Sequence, residues 1–140
     1  MVDANIVIAA FLRDSTARRI VTLSHLDLFV PEFFREEFAK HLPQLRRRTG
    51  LTERDARELV DSLGAYLTVI PQEALLPALV RAAAAMGAID SKDTDYLAAA
   101  LATECDGIWS DDPHFKRQKV VACWTTKELV AVLRKHGVQL

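Results

Sequence analysis

Short apolar or β-branched runs alternate with longer helix-period segments along this chain, and that alternation restricts the fold more than any other feature. Tyr66-Leu-Thr-Val-Ile70 is β-branched, alternates in polarity and stops at Pro71, so it reads as a strand. Leu28-Phe-Val30, Gly107-Ile-Trp-Ser110 and Val120-Val-Ala-Cys-Trp124 read the same way. Between them stand helices with recognisable ends. Ser15 caps one that runs to about Ser24, and another follows Pro31 to about Arg48 with Phe34, Phe38, Leu42 and Leu45 on one face. Pro43 is expected to kink or end that helix. Thr52 caps a helix carrying Leu59, Val60 and Leu63, Gly87 closes one over Glu73 to Met86, and another spans Thr94 to Glu104. Thr125 and Glu128 form a capping box opening the last helix, which ends at His136-Gly137. Asn5 to Leu12 is apolar almost throughout, and periodicity leaves it as either strand or helix.

Strands alternating with helices of this length imply an α/β fold: a single domain whose parallel sheet of about four to five short strands is flanked by helices on both faces. Such sheets bind ligands at the carboxyl ends of their strands. The length of 140 residues, half of them hydrophobic, suits one domain burying roughly two thirds of its unfolded surface. No apolar stretch approaches the ~20 residues of a membrane span and no secretion signal opens the chain, so no membrane association and a cytoplasmic location are expected. Cys105 and Cys123 lie among apolar neighbours and read as buried thiols. The four histidines lack the paired spacing of zinc ligands, and His114, alone in an interesting place, reads as an exposed loop residue.

Four acids stand out by position: Asp3 before the first apolar run, Glu37 in a mid-chain helix, Asp93 near a later helix start, and Asp112 just after a late strand. Taken singly they are an Asx-type turn, a surface glutamate, a helix-capping acid and a turn residue. Their joint order in an alternating α/β chain is more specific, because carboxylates gathered at strand ends repel unless a cation binds or some are protonated. Oxygen ligands without histidine or cysteine select hard cations, Mg²⁺ or Mn²⁺. A net charge of −1 argues against coating nucleic acid by bulk electrostatics. Local basic runs remain. Arg46, Arg47, Arg48, Arg54 and Arg57 suit solvated faces, whereas Lys116, Arg117 and Lys119 directly follow Asp112 and are expected phosphate contacts.

Asp3-Ala-Asn5 with its apolar follow-on, Val30-Pro-Glu-Phe-Phe-Arg-Glu-Glu37-Phe, Asp90-Ser-Lys-Asp93-Thr-Asp-Tyr-Leu and Ile108-Trp-Ser110-Asp-Asp112-Pro-His-Phe together resemble the PIN-domain family of metal-dependent ribonucleases over nearly the whole chain. The resemblance implies metal and catalytic roles for Asp3, Glu37, Asp93 and Asp112, with Asn5, Ser110 and Asp111 supporting them. It also implies that Asn5 to Leu12 is helical and that a strand precedes Asp3, where only Met1 and Val2 stand. Many family members of this size are VapBC-type toxins that pair with a small antitoxin and form homodimers, which makes single-stranded RNA, an antitoxin and a second copy the expected partners. Phe33, Phe34 and Phe38 suit such an interface, and suit ordinary core packing better.

Two other readings compete. A catalytically silent PIN-like module would bind RNA or protein without cutting, and would need Asp3 displaced. A Mg²⁺-binding receiver domain would show an acid pair beside its first strand and an aspartate after its third; here Pro71 and Gln72 follow Ile70.

Overall fold

The computed structural model describes residues 1–12, 15–87 and 91–140. Asp90, part of the third motif, lies outside the described residues. The helices are α1 (Ala4–Leu12), α2 (Thr16–Val21), α3 (Phe34–Thr49), α4 (Glu53–Gly64), α5 (Gln72–Met86), α6 (Ser91–Ala102) and α7 (Thr126–Lys135). The strands are β1 (Leu28–Pro31), β2 (Leu67–Ile70), β3 (Ile108–Trp109) and β4 (Cys123–Trp124), with a 3₁₀ turn at Pro113–Lys116. The apolar run after Asp3 is thus helix, as the family resemblance implied and as periodicity alone left open.

The mixed α/β class holds, but among the described residues the expected single sheet does not form. Four short strands make two parallel pairs, β1 with β2 and β3 with β4. Strands of two to four residues offer few ladder bonds, and the first residues of the chain run between the pairs. The Val2 N–H donates to the Phe29 carbonyl at 2.8 Å, the Asp3 N–H to the Trp109 carbonyl at 3.0 Å, and the Trp109 N–H to the Met1 carbonyl at 2.8 Å. Val2 forms a lone parallel bridge with Trp109 and is fully buried. These bonds fix Asp3 at the carboxyl end of the bridging segment, next to the end of β3.

Local signals act where they were expected. The hydroxyls of Ser15, Thr52 and Thr125 each accept the N–H three residues on, and Thr125 and Glu128 close a full capping box. Pro43 does not end α3, which continues to Thr49. The proline sits on the exposed side, where water reaches the carbonyl its ring leaves without a donor, and the stop comes at Gly50, whose φ of 71° is left-handed. Pro31 closes β1 opposite Ile70 rather than entering the helix.

The last strand is shorter than its sequence suggests, because a buried amide holds the residues before it. Gln118 Nε2 donates to the Phe115 and Val121 carbonyls at 2.9 and 2.7 Å, and its Oε1 accepts the Val120 and Val121 N–H groups, both at 2.9 Å. Val120 and Val121 are therefore bound by a side chain instead of a neighbouring strand. Gly107 permits the close passage of this segment: a Cβ there would come within 2.7 Å of the Ala122 carbonyl oxygen and the Trp124 ring. Gln118→Ala is expected to cost about 1–3 kcal/mol by orphaning these groups, read as a lower urea midpoint at unchanged slope. An unchanged midpoint would show that the loop holds without it.

The core joins both strand pairs to the helices. Val30, Leu75, Met86, Leu97, Ile108 and Phe115 are all buried within it. α5 packs on α6, α6 on β1, and α1 on α2 and α3. Phe34 and Phe38 are buried on α3, as core packing predicted. Cys105 and Cys123 are free thiols, half-buried against the core. Among the described residues no helix is long and apolar enough to cross a membrane.

Candidate metal centre

Asp3 sits at the turn from the bridging segment into α1, so its main chain and side chain both serve the helix start. Its carbonyl accepts the Ile6 and Val7 N–H groups, and its Oδ1 accepts the Asn5 N–H at 3.3 Å. Its Oδ2 accepts the Ser110 hydroxyl at 2.6 Å. Asp3 is only 6 % exposed. Burial pushes its carboxyl above the ordinary carboxylate range, and the nearby charges of Asp112 and Glu37 add to that rise; the bonds from Ser110 and Asn5 oppose it without overcoming it.

Ser110 is fully buried and links two acids, donating to Asp3 while its oxygen accepts the Asp112 N–H at 3.0 Å. This is the geometric reason for the Ser-Xaa-Asp spacing: a small hydroxyl two residues ahead of the last acid can touch both that acid's main chain and Asp3. Asp112 in turn caps the 3₁₀ turn, its Oδ1 accepting the His114 N–H at 2.9 Å. His114 Nδ1 lies 3.6 Å from Asp112 Oδ1 and 3.7 Å from Asp93 Oδ2. Asp93 stands in the first turn of α6, where the positive end of the helix dipole favours its charge.

Glu37 reaches the cluster from α3 through Tyr96. The Tyr96 hydroxyl donates to Glu37 Oε2 at 3.0 Å and accepts the Ala4 N–H at 3.2 Å. Tyr96 follows Asp93 by three residues and so shares its face of α6. It is 2 % exposed and held edge-on by Phe33 and Phe115, with ring centroids 5.1 and 6.1 Å away. Burial, then the charges of Glu37 and Asp3, drive its phenol far above the ordinary range, so it stays a hydrogen-bond donor. Sequence reasoning missed Tyr96, although a buried tyrosine needs a partner for its hydroxyl, and its spacing from Asp93 was the available signal.

The four acids singled out in the sequence are therefore brought together from two connecting segments and two helices, α3 and α6. Glu36 is exposed and Glu37 is the acid turned to the site. The supporting residues divide. Ser110 lies inside the cluster, and Asn5 contributes its main-chain N–H while its side chain faces solvent. Asp111 points elsewhere: its carboxylate accepts the Thr126 N–H at 2.7 Å and the Thr126 hydroxyl at 2.9 Å, fastening the start of α7. Of the basic run, Lys116 is bound at 2.6 and 2.7 Å to both oxygens of Glu128, which it holds down at about 2 with help from Thr125. Its charge is shared with that carboxylate. Arg117 and Lys119 are exposed, and the Lys119 ammonium reaches the Lys116 carbonyl at 3.2 Å.

The donor chemistry fits a divalent cation. One atom each from Asp93, Asp112 and His114 lies within 4.8 Å of the others, and Asp3, bonded through Ser110 to the same loop, is an anion that burial above all penalises. No curated protein matches the chain. The PIN domain profile matches it over residues 1–134, nearly the full length, so the chain belongs to the PIN-domain family, whose members are in general nucleases.

Proposed function

We propose that this chain is a divalent-metal-dependent endoribonuclease that hydrolyses phosphodiester bonds of single-stranded RNA in the cytoplasm. What carries the reading is the convergence of Glu37 and Asp112 on the buried Asp3 carboxylate, with Asp93 beside Asp112; burial and then like-charge repulsion disfavour that arrangement unless a cation offsets it. Asp3, Asp93 and Asp112 would hold Mg²⁺ or Mn²⁺. A bound divalent ion lowers the pKa of its water and offsets charge on the leaving oxygen. Ser110 keeps the Asp3 carboxylate turned towards Asp112. Glu37, its orientation fixed by Tyr96, either joins the ligands or accepts a hydrogen bond from the attacking water and aligns it. Arg117 and Lys119, exposed and a few residues after Asp112 in sequence, would meet backbone phosphates. A splayed single strand reaches a site of this size more readily than a duplex does.

Within that activity, we place the chain as the toxin of a VapBC-type pair, restrained by a small antitoxin and assembled as a homodimer. The family and the chain's size support this, as does apolar surface on α5, where Leu76 and Val80 are 61 % and 83 % exposed. A short reading frame directly upstream, encoding a DNA-binding protein, is the genomic arrangement this reading expects.

The experiment is incubation of a mixed single-stranded RNA pool with metal-stripped protein, with and without added Mn²⁺ or Mg²⁺. Cleavage should depend on the ion and stop on chelation. RNA that binds but stays whole under every condition would make the chain a silent binding module, and cleavage indifferent to chelator would remove the metal from the reaction.

A further inference from the structure

We propose that His114 is a nitrogen ligand of the carboxylate centre, and that it makes the site selective for transition-metal dications, Mn²⁺ above all, over Mg²⁺. The proposal rests on the metal-dependent reading above and specifies which ion that centre takes. From sequence, a single loop histidine without a paired partner gave no reason to expect a nitrogen donor; the folded chain puts its ring between two acids.

Three features of this chain place the imidazole. The His114 N–H is fixed by Asp112 Oδ1 at 2.9 Å, which holds the residue at the start of the 3₁₀ turn. The next residue, Phe115, is buried against the Tyr96 ring, so the turn is anchored in the core rather than free to swing. The ring itself makes no hydrogen bond among the described residues, and Nδ1 stands 3.6 Å from Asp112 Oδ1 and 3.7 Å from Asp93 Oδ2. Those separations are too long for hydrogen bonds and suit donors to a shared ion. Two ligands each about 2.1 Å from one metal lie between roughly 3.0 Å apart, when adjacent, and about 4.2 Å apart, when opposite.

The consequence follows from ligand chemistry. Mg²⁺ keeps a shell of oxygens and gains little from an imidazole, whereas first-row transition ions gain from nitrogen donors. Three carboxylates with one imidazole thus discriminate between ions that the carboxylates alone would take more evenly. His114 is 42 % exposed in its side chain, so its ring can meet an arriving ion without opening the core.

The test uses the full chain, stripped of metal, with MnCl₂ and MgCl₂ titrated separately by calorimetry into the wild type and into His114→Ala, which keeps the main-chain N–H that Asp112 accepts. In His114→Ala, Mn²⁺ affinity should fall by about tenfold or more while Mg²⁺ affinity stays within about twofold. Pulsed electron paramagnetic resonance of bound Mn²⁺ should show coupling to an imidazole nitrogen in the wild type and none in the variant. Equal Mn²⁺ affinity in the two proteins, or no nitrogen coupling in the wild type, would reduce His114 to an ion-pair partner of Asp93 and Asp112 and overturn the proposal while leaving the carboxylate centre standing. Failure of the wild type to bind either ion would sink both this proposal and the metal-dependent reading beneath it.

Discussion

Asp3→Asn is expected to lower RNA cleavage by at least about 100-fold, since even groups that only orient metal ligands commonly cost 10–100-fold, and at the same time to raise the melting temperature of the metal-free protein. The two effects have one origin. Asp3 is buried beside Asp112 and Glu37, and the folded protein penalises its charge despite the bonds from Ser110 and Asn5. Its folded pKa lies above the ordinary value of 3.8, so the folded chain retains a proton in a range where the unfolded chain has lost it. Stability therefore falls as pH rises through that range, and the full penalty stands above it. A neutral asparagine of the same shape removes the penalty and the ligand together.

The pH dependence separates this effect from others. Thermal melts of metal-free protein should show the gap between Asp3→Asn and wild type narrowing as pH falls through the raised Asp3 pKa towards the ordinary value of 3.8. Glu128 works in the opposite sense: its carboxyl is depressed from 4.5 to about 2, so its stabilisation is present above 4.5 and lost as pH falls towards 2. Comparing two proteins that share Glu128 cancels its contribution. A variant that melts below wild type at neutral pH would contradict the assignment of Asp3 as a penalised anion.

Tyr96→Phe should reduce cleavage about tenfold or more and destabilise the fold by about 1–3 kcal/mol. The ring stays, so its contacts with Phe33 and Phe115 survive and the loss isolates the hydroxyl. Without it, the Ala4 N–H at the start of α1 loses its acceptor and Glu37 loses the donor that orients it. If Tyr96 only braced the fold, specific activity per folded molecule would be unchanged. A positioning role shows instead as a fall in kcat with little change in KM for RNA. Full kcat in the variant would detach Glu37 from dependence on Tyr96.

The helix caps were legible because they are local: Ser15, Thr52 and Thr125 each bond an N–H three residues away. What depended on distant partners was not. The sheet was overestimated because Val120 and Val121 look like strand, and nothing in their own sequence reports that the Gln118 amide will occupy their main chain. Pro43 reads as a kink or an end because the side of α3 facing water is known only after folding. At the site, order and spacing single out four acids that the fold places near one another. Lys116 and Asp111 look available in sequence because Glu128 and Thr126, which engage them, belong to a later helix. Tyr96 lies in an alanine-rich stretch where any aromatic reads as core, and its hydroxyl is directed by residues from two other helices.

The bond from Ser110 to Asp3 spans 107 positions of sequence. During synthesis from the amino end, a growing chain can fold early helices long before the partner of Asp3 exists. β3 also needs β4, still later in sequence, to complete its pairing. A centre built this way stays unassembled through early translation: Asp3 gains its hydroxyl partner only after the ribosome has passed Ser110, so the amino-terminal segment by itself carries the acid without the pocket that orients it.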